Sequence, residues 1–387
     1  MPIPVARHSL MREMNEMAVM TVVRQHGPVS RRRIAEVTGL TKSTVTVAVQ
    51  RLFSKDVLME LGSVTAGPGR PERLLGLNPD AGYLLGASID VAGFQLLLFD
   101  LEARVLDQKR GVFDAKASPN EVLEALAQAA RLLRQQISAR KYWGFGVSIP
   151  GIIAPSGTVI HAPNLKWKEV EAGEYLRRQL PGPLYVVNDA AAGAIAEYYF
   201  GNALTSEFLL YLSLGMGIGG GVMMGGNLLV GIHGAGTEVG HMVIDDNGPY
   251  CRCGRQGCFE AVASLRALTE RAMRTRDVRD WVGLDHIIEA FNQGEPWARQ
   301  ALEETLHYLQ QGITNLANIF DPDTIVLGGP LSRFGEYLRA QIERRVNQDM
   351  MIAGHRSIAV RLTRFNEFTS AFGAGAMALN TAVTTRA

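Results

Sequence analysis

Residues 238–260 read EVGHMVIDDNGPYCRCGRQGCFE. All three cysteines of the chain, Cys251, Cys253 and Cys258, lie in this stretch, and His241 precedes the first by ten positions. Three thiolates and one imidazole make a complete tetrahedral shell for one structural zinc per chain. Glu238 and Glu260 flank the cluster on either side. A metal that pins the loop would also fix these two carboxylates, as a site for a polar ligand requires.

The composition around this loop fits a metal in a reducing compartment. The cysteines are odd in number and tightly clustered, which suits metal ligation better than disulfides. Hydrophobic residues make up 47% of the 387 and charged residues 20%, as in a globular protein of two or three domains. No apolar run approaches the roughly 20 residues that span a bilayer. The start, MPIPVARHSLMREMNEMAV, lacks the apolar core of a secretory signal. The expectation is a cytoplasmic protein with no membrane partner.

Charge is unevenly spread. Residues 1–80 hold eleven Lys/Arg against seven Asp/Glu, although the whole chain is only +1. A basic front on a mildly acidic body points to a nucleic-acid module joined to something else.

That front reads as a winged helix-turn-helix. Leu10–Gln25 carries apolar residues at helical spacing, including Met14 and Met17. Ser30 is placed to cap a second helix, RRRIAEVTG, with Ile34, Ala35 and Val37 as its inner face. Thr41 caps a third, KSTVTVAVQRLFS, with Val45, Ala48, Val49 and Leu52 inward. Its outer face offers Lys42, Ser43, Thr44, Thr46, Gln50 and Arg51, types suited to phosphates and base edges. Arg31 joins them from the head of the second helix. A solvated face of a small helical bundle would use the same residues. Two strands, 57–61 and 73–77, then form a hairpin whose tip carries Gly69-Arg70-Pro71. A slim cationic tip suits a minor groove; an exposed loop is the plainer alternative.

The body, from residue 80 on, alternates strands and helices. YLLGASID-VAG-FQLLLFDL-EARVLDQKR reads as three strands with tight turns, and a related pattern recurs at 208–231. Two such units about 120 residues apart predict a duplicated α/β fold. Helices are expected at 119–139, 189–200, 262–276, 284–293, 296–319, 333–347 and 368–382. The divisions predicted are 1–79 for the DNA-binding domain, 80–190 for a first lobe completed by a C-terminal helix at 366–387, and 191–365 for a second lobe with the metal loop and dimerisation helices.

Several motifs in the body carry polar chemistry. Gly215-Met-Gly217-Ile-Gly219-Gly220-Gly221 follows a strand, so its backbone could approach an anion, or merely bend a sheet. Asn188-Asp189 ends a strand before a helix, a place for a carboxylate that binds or deprotonates a hydroxyl, and equally for an N-cap. Ala162-Pro-Asn164-Leu-Lys-Trp167 is a polar loop in which Asn164 offers donor and acceptor and Trp167 an apolar plane, or else an ordinary turn.

Taken together these residues resemble the ROK family of repressors and sugar kinases. The most specific part is Glu238-Val-Gly-His241 followed by Cys251-Arg-Cys253-Gly-Arg-Gln-Gly-Cys258-Phe-Glu260. The N-terminal module with its Gly-Arg-Pro tip resembles the family's transcriptional regulators, and Ala162-Pro-Asn164-Leu-Lys-Trp167 is similar to loops in glucose- and xylose-responding members. The resemblance implies a hexokinase/actin-like, ribonuclease-H-like two-lobed body with a sugar in its cleft. It also implies sugar contacts from Asn164, Asn188, Asp189, Glu238, His241 and Glu260, and zinc on His241, Cys251, Cys253 and Cys258. His241 would give one ring nitrogen to zinc and the other to the sugar.

One turn departs from the kinases. Their first phosphate turn reads Asp-x-Gly-Gly-Thr; here it is Asp90-Val91-Ala92-Gly93-Phe94, with a ring where the threonine hydroxyl would serve the phosphates and space would be needed for them. The second turn retains Gly215, Gly217, Gly219 and Gly220 as a nucleotide loop, and Asp189, the kinase base, is present. The expectation is therefore a non-enzymatic, sugar-responsive repressor acting on an inverted-repeat operator as a homodimer or dimer of dimers. Its effector would be a glucose- or xylose-like aldose. The alternatives are an active ATP-dependent sugar kinase with an appended DNA-binding domain, and a DNA-binding scaffold with a vestigial sugar site.

Overall fold

The structure is a computed structural model. It describes residues 8–65, 71–114, 116–137, 140–232, 234–276 and 282–384. The chain divides into two compact units, one of residues 1–187 with 371–387 and one of residues 188–370.

The first unit opens with α1 (His8–His26), β1 (Val29–Ser30), α2 (Arg31–Thr38), α3 (Lys42–Ser54), β2 (Leu58–Val64) and β3 (Glu72–Leu77). Local chemistry sets these limits. Ser30 accepts the Arg33 N–H and Thr41 accepts the Thr44 N–H, so both helices start on a hydroxyl cap. Gly39 ends α2 in the left-handed conformation (φ 69°), which costs glycine nothing. Val45, Ala48, Val49 and Leu52 are buried, as their spacing predicts. Val37 and Met14 are instead exposed. The eight-residue α2 has room to bury only Ile34 fully, and Met14 sits one turn before the buried part of α1. The three strands pair antiparallel in the order β1-β3-β2.

A short junction joins this module to the next sheet. The Asn78 backbone N–H donates to the Val57 carbonyl (2.9 Å) and its side-chain amide to the Asp56 carbonyl (3.0 Å). Three residues on, the buried indole N–H of Trp143 donates to the Ala81 carbonyl (3.2 Å). Lys141 Nζ stands 3.8 Å from the centre of the Trp143 ring, and its carbonyl accepts the Tyr83 N–H.

The sheet itself comprises β4 (Tyr83–Asp90), β5 (Gly93–Phe99), β6 (Val105–Gly111), β7 (Tyr142–Ile149) and β11 (Leu184–Asn188), in the order β11-β7-β4-β5-β6. Between these strands come α4 (Pro119–Gln136), α5 (Ala172–Gln179) and a small sheet of β8 (Ile152–Ile153), β9 (Val159–Ala162) and β10 (Trp167–Val170). The strand predicted to begin at Glu102 starts only at Val105. Asp100 Oδ1 accepts the N–H groups of Glu102 and Arg104 and holds a turn there.

The second unit repeats the pattern. Helix α6 (Asp189–Tyr199) leads into β12 (Phe208–Leu214), β13 (Ile218–Met224) and β14 (Asn227–Leu228). Then follow α7 (Phe259–Ala263), α8 (Leu265–Arg276), α9 (Leu284–Asn292), α10 (Pro296–Phe320), β15 (Thr324–Gly328), α11 (Gly335–Asp349) and β16 (Ala359–Leu362). Strand order is β14-β13-β12-β15-β16, two antiparallel pairings followed by two parallel ones. The helix expected over 262–276 is broken at Ser264, because the Leu265 N–H turns to the Gly215 carbonyl. Helix α12 (Thr369–Thr384) packs on the first unit's sheet. A Cβ on Gly86 would lie 2.0 Å from the Ala371 carbonyl oxygen, and one on Gly146 would lie 1.8 Å from that of Ala374. Only glycine admits so close an approach.

Candidate functional site

The site in the second unit is assembled around β13. Its glycines alternate in what they admit. Gly219 and Gly221 face the first turn of α6, where a Cβ would meet Ala190 at 2.8 and 2.4 Å. Gly220 faces Val239 at 2.7 Å, and Gly217 faces Glu260 Oε2 at 2.5 Å. Side chains at these positions would force apart Asp189, Glu238 and Glu260. The glycine run thus has a packing role that its sequence does not separate from anion binding.

Each polar residue is held by its own element. Asn188 caps α6, its Oδ1 accepting the N–H groups of Ala190 (2.9 Å) and Ala191 (3.1 Å). Asp189 is the first helical residue; its carbonyl accepts from the Ser370 hydroxyl at 3.1 Å. Glu260 lies in the first turn of α7, and its Oε2 accepts the Ile218 N–H at 3.2 Å. Glu238 precedes the single 3-10 turn that carries His241. Partial burial raises the Glu238 carboxyl above the usual range; the nearby His241 opposes this, while Asp189 and Glu260 add to it. These four residues therefore share one electrostatic neighbourhood.

The metal-ligating set lies beside it. The ligand atoms of His241, Cys251, Cys253 and Cys258 all fall within 4.8 Å of one another. Cys251 Sγ is 3.6 Å from His241 Nδ1, and Cys253 Sγ is 3.6 Å from Cys258 Sγ. A tetrahedron with metal–sulfur bonds near 2.3 Å has edges of about 3.8 Å, so the donors fit a metal ion. Their acidities fit as well. Burial and then the neighbouring thiols push Cys258 up to about 12 and raise Cys251. Cys253 moves down: burial opposes, but the Arg255 N–H and the adjoining thiols outweigh it. Clustered thiols resist ionising together, and a bound cation removes that resistance. The other imidazole nitrogen, Nε2, points to Glu238 Oε2 at 3.9 Å.

In the first unit, Asn164 sits exposed in the turn that starts at Ala162, where the Leu165 N–H donates to the Ala162 carbonyl. Trp167, expected to offer an open apolar plane, is instead a core residue at 3% exposure. Its place on β10 opposite Ala162 turns it into the core. Phe94 is corrected in the same way. Its ring does not stand over the turn but is buried against Gly111 on β6. The turn thus carries a core-facing ring where the kinases have a threonine hydroxyl. Asp90 Oδ1 is engaged in that turn, accepting the Ala92 N–H at 2.7 Å.

The residues proposed for nucleic acid fall mainly on one side of α3. Lys42, Ser43, Thr46 and Gln50 are exposed and Thr44 is half-buried. The Thr46 hydroxyl donates to the Lys42 carbonyl. Arg31 stacks loosely on Phe53, 5.9 Å from the ring centre. Arg51 turns toward Glu16 of α1, a partner the sequence reading missed. Its signal was an acidic residue on the buried stripe of an otherwise apolar helix face. Arg70 lies outside the described residues.

Residues 85–381 match the ROK family. The xylose repressor of Bacillus subtilis is 31% identical over 326 residues, 84% of each chain. Among solved structures, a ROK family transcriptional regulator, a homologue of the E. coli MLC protein, superposes with a TM-score of 0.80 over 97% of both chains at 24% identity. A ROK family glucokinase from Streptomyces griseus, in complex with glucose and AMPPNP, gives a TM-score of 0.69 at 26% identity, covering 76% of this chain and 99% of its own. The match over 85–381 and the 31% identity settle the kinship: the chain belongs to the ROK family.

Proposed function

We propose that the protein is a sugar-responsive transcriptional repressor. In this reading residues 1–79 are a winged helix-turn-helix that binds an inverted-repeat operator. Residues 80–190 with 366–387, and residues 191–365, are the two lobes of a sensor for an unphosphorylated aldose of the xylose or glucose kind. The observation that carries it is the joint placement of His241 and its three thiols beside Glu238, Asp189 and Glu260, in a chain whose relatives include a protein named as a xylose repressor.

The sensor chemistry follows from the donors. Vicinal sugar hydroxyls both give and accept hydrogen bonds, and carboxylates and amides answer them in pairs. Glu238, Glu260, Asp189 and Asn188 serve as those partners, with Asn164 from the first unit added on the resemblance alone. Zinc, one per chain, would be held by His241, Cys251, Cys253 and Cys258; when bound it fixes the loop and the imidazole. Sugar alters operator affinity through a difference in its own affinity for two states of the protein, typically ~1–3 kcal/mol. A homodimer, or a dimer of dimers, places two modules on half-sites roughly 34 Å apart or multiples of that.

The test is operator binding followed by fluorescence anisotropy, with and without xylose and glucose. Release, or a changed footprint, with one sugar supports the reading; indifference to every aldose overturns it. The second reading, an ATP-dependent sugar kinase, is favoured by Asp189 at the head of α6 and by the glycine turn at Gly215, Gly217, Gly219 and Gly220. A coupled ATP assay decides: turnover of ~1 per second or faster would establish it.

A further inference from the structure

Helices α1 and α3 form a groove in the first unit that no sugar or metal chemistry uses. Arg12 and Asn15 line it from α1; Ser43, Thr44, Val47 and Arg51 line it from α3. Arg51 is paired with Glu16 of α1, whose side chain is only 7% exposed. Lys55 Nζ donates to Glu16 Oε2 at 2.8 Å, and Arg51 donates to Oε1 at 3.5 Å. One carboxylate thus faces two cations, which leaves this cluster net positive. Arg12 adds a further cation from α1. The hydroxyls of Ser43 and Thr44 gather on the Thr41 hydroxyl, 2.9 and 2.8 Å away. Val47, about half exposed, gives an apolar floor.

Cations at two edges, hydroxyl and amide groups beside them and an apolar floor match a phosphodiester. The anionic oxygens meet the arginines, and the sugar edge lies on Val47. A neutral sugar would bring no anion to Arg12. We infer that the α1–α3 groove seats one backbone phosphate of duplex DNA, held by Arg12 and Asn15 from α1 and by Arg51 from α3. Glu16 acts as a positioning residue by fixing Arg51 at the wall. The outer residues of α3, Lys42, Thr46 and Gln50, are then left for base edges. This inference rests on the DNA-binding reading above and names a backbone contact within it.

The experiment uses the full chain and two mixed-sequence DNA duplexes of unrelated sequence, titrated by anisotropy across a salt series. For Arg12→Ala, affinity for both duplexes falls by the same factor, and the slope of log K against log salt shrinks by about one. Asn15→Ala weakens both and leaves the slope alone, because it removes no charge. Arg12→Lys restores the slope. Thermal melting of each variant shows that substitution of exposed Arg12 and half-buried Asn15 leaves the fold intact. Unchanged affinity and slope in Arg12→Ala would overturn the groove, as would a loss confined to one duplex, which signifies base contact. If the unsubstituted chain binds neither duplex in a salt-dependent way, the DNA-binding reading fails and takes the groove with it.

Discussion

Glu238 Oε2 and His241 Nε2 stand 3.9 Å apart, while His241 Nδ1 faces the Cys251 thiol at 3.6 Å. The imidazole therefore links two chemistries. Whatever fixes the ring on its thiol side also aims an N–H on its carboxylate side.

The first prediction concerns that link. Cys258→Ser removes a fully buried donor. Elemental analysis is expected to fall from about one zinc per chain to a small fraction of that. Thermal stability should drop by roughly 2 kcal/mol or more, and chelator should no longer affect it. A variant that keeps stoichiometric zinc would remove Cys258 from the ligand set.

Glu238→Ala tests the sugar side. The side chain is 43% exposed and makes no cap to its own turn, so the fold should survive. Losing a charged hydrogen-bond partner costs about 1.5–3 kcal/mol, so calorimetry should show sugar affinity falling roughly ten- to hundredfold. DNA binding without sugar should be unchanged. Full sugar affinity would place Glu238 outside the site.

Gly111→Ala tests the placement of Phe94. The new Cβ would sit 2.2 Å from the Phe94 ring, which is itself buried in the core. Overpacking of this kind costs ~1–3 kcal/mol, read as a lower urea midpoint. No loss of stability would mean that the ring lies elsewhere.

Asp323 gives a pH-dependent prediction. Its carboxylate accepts from the Ser206 hydroxyl, the Glu207 and Phe208 N–H groups and the Thr324 hydroxyl, all within 2.8 Å. Burial works against the charge, yet these donors hold the group below its ordinary value of 3.8. A depressed folded pKa stabilises above the unfolded value, and that contribution is lost as pH falls through the folded one. Asp323→Asn should therefore be less stable by ~2 kcal/mol at pH 7. The gap should narrow only below about pH 4. A gap that persists undiminished in acid would point to packing instead of charge.

How far the sequence could be read depended on how local the signal was. The caps at Ser30 and Thr41, the buried stripe of α3 and the Cys/His spacing are short-range patterns, and the structure shows each of them. Strands β7 and β16 were not singled out. Both pair in parallel with strands distant in the chain; β7 is buried along all but its first residue, without the alternation that separates a strand from a buried helix, and β16 has only four residues. Phe94 and Trp167 were misjudged for a related reason. A motif position says where the backbone runs, but the face a side chain takes was decided by partners on β6 and β9. An acidic residue on the apolar stripe of α1 signals a buried partner for Glu16 but not which one, because its cations lie 35 and 39 residues away.

The junction at Asn78, Ala81 and Trp143 leaves almost no slack between α3 and β7. A connection that short works as a lever arm. A tilt at the start of β7 is passed on to α3 as a change of angle, and lengthening the arm by even one residue would loosen that transmission.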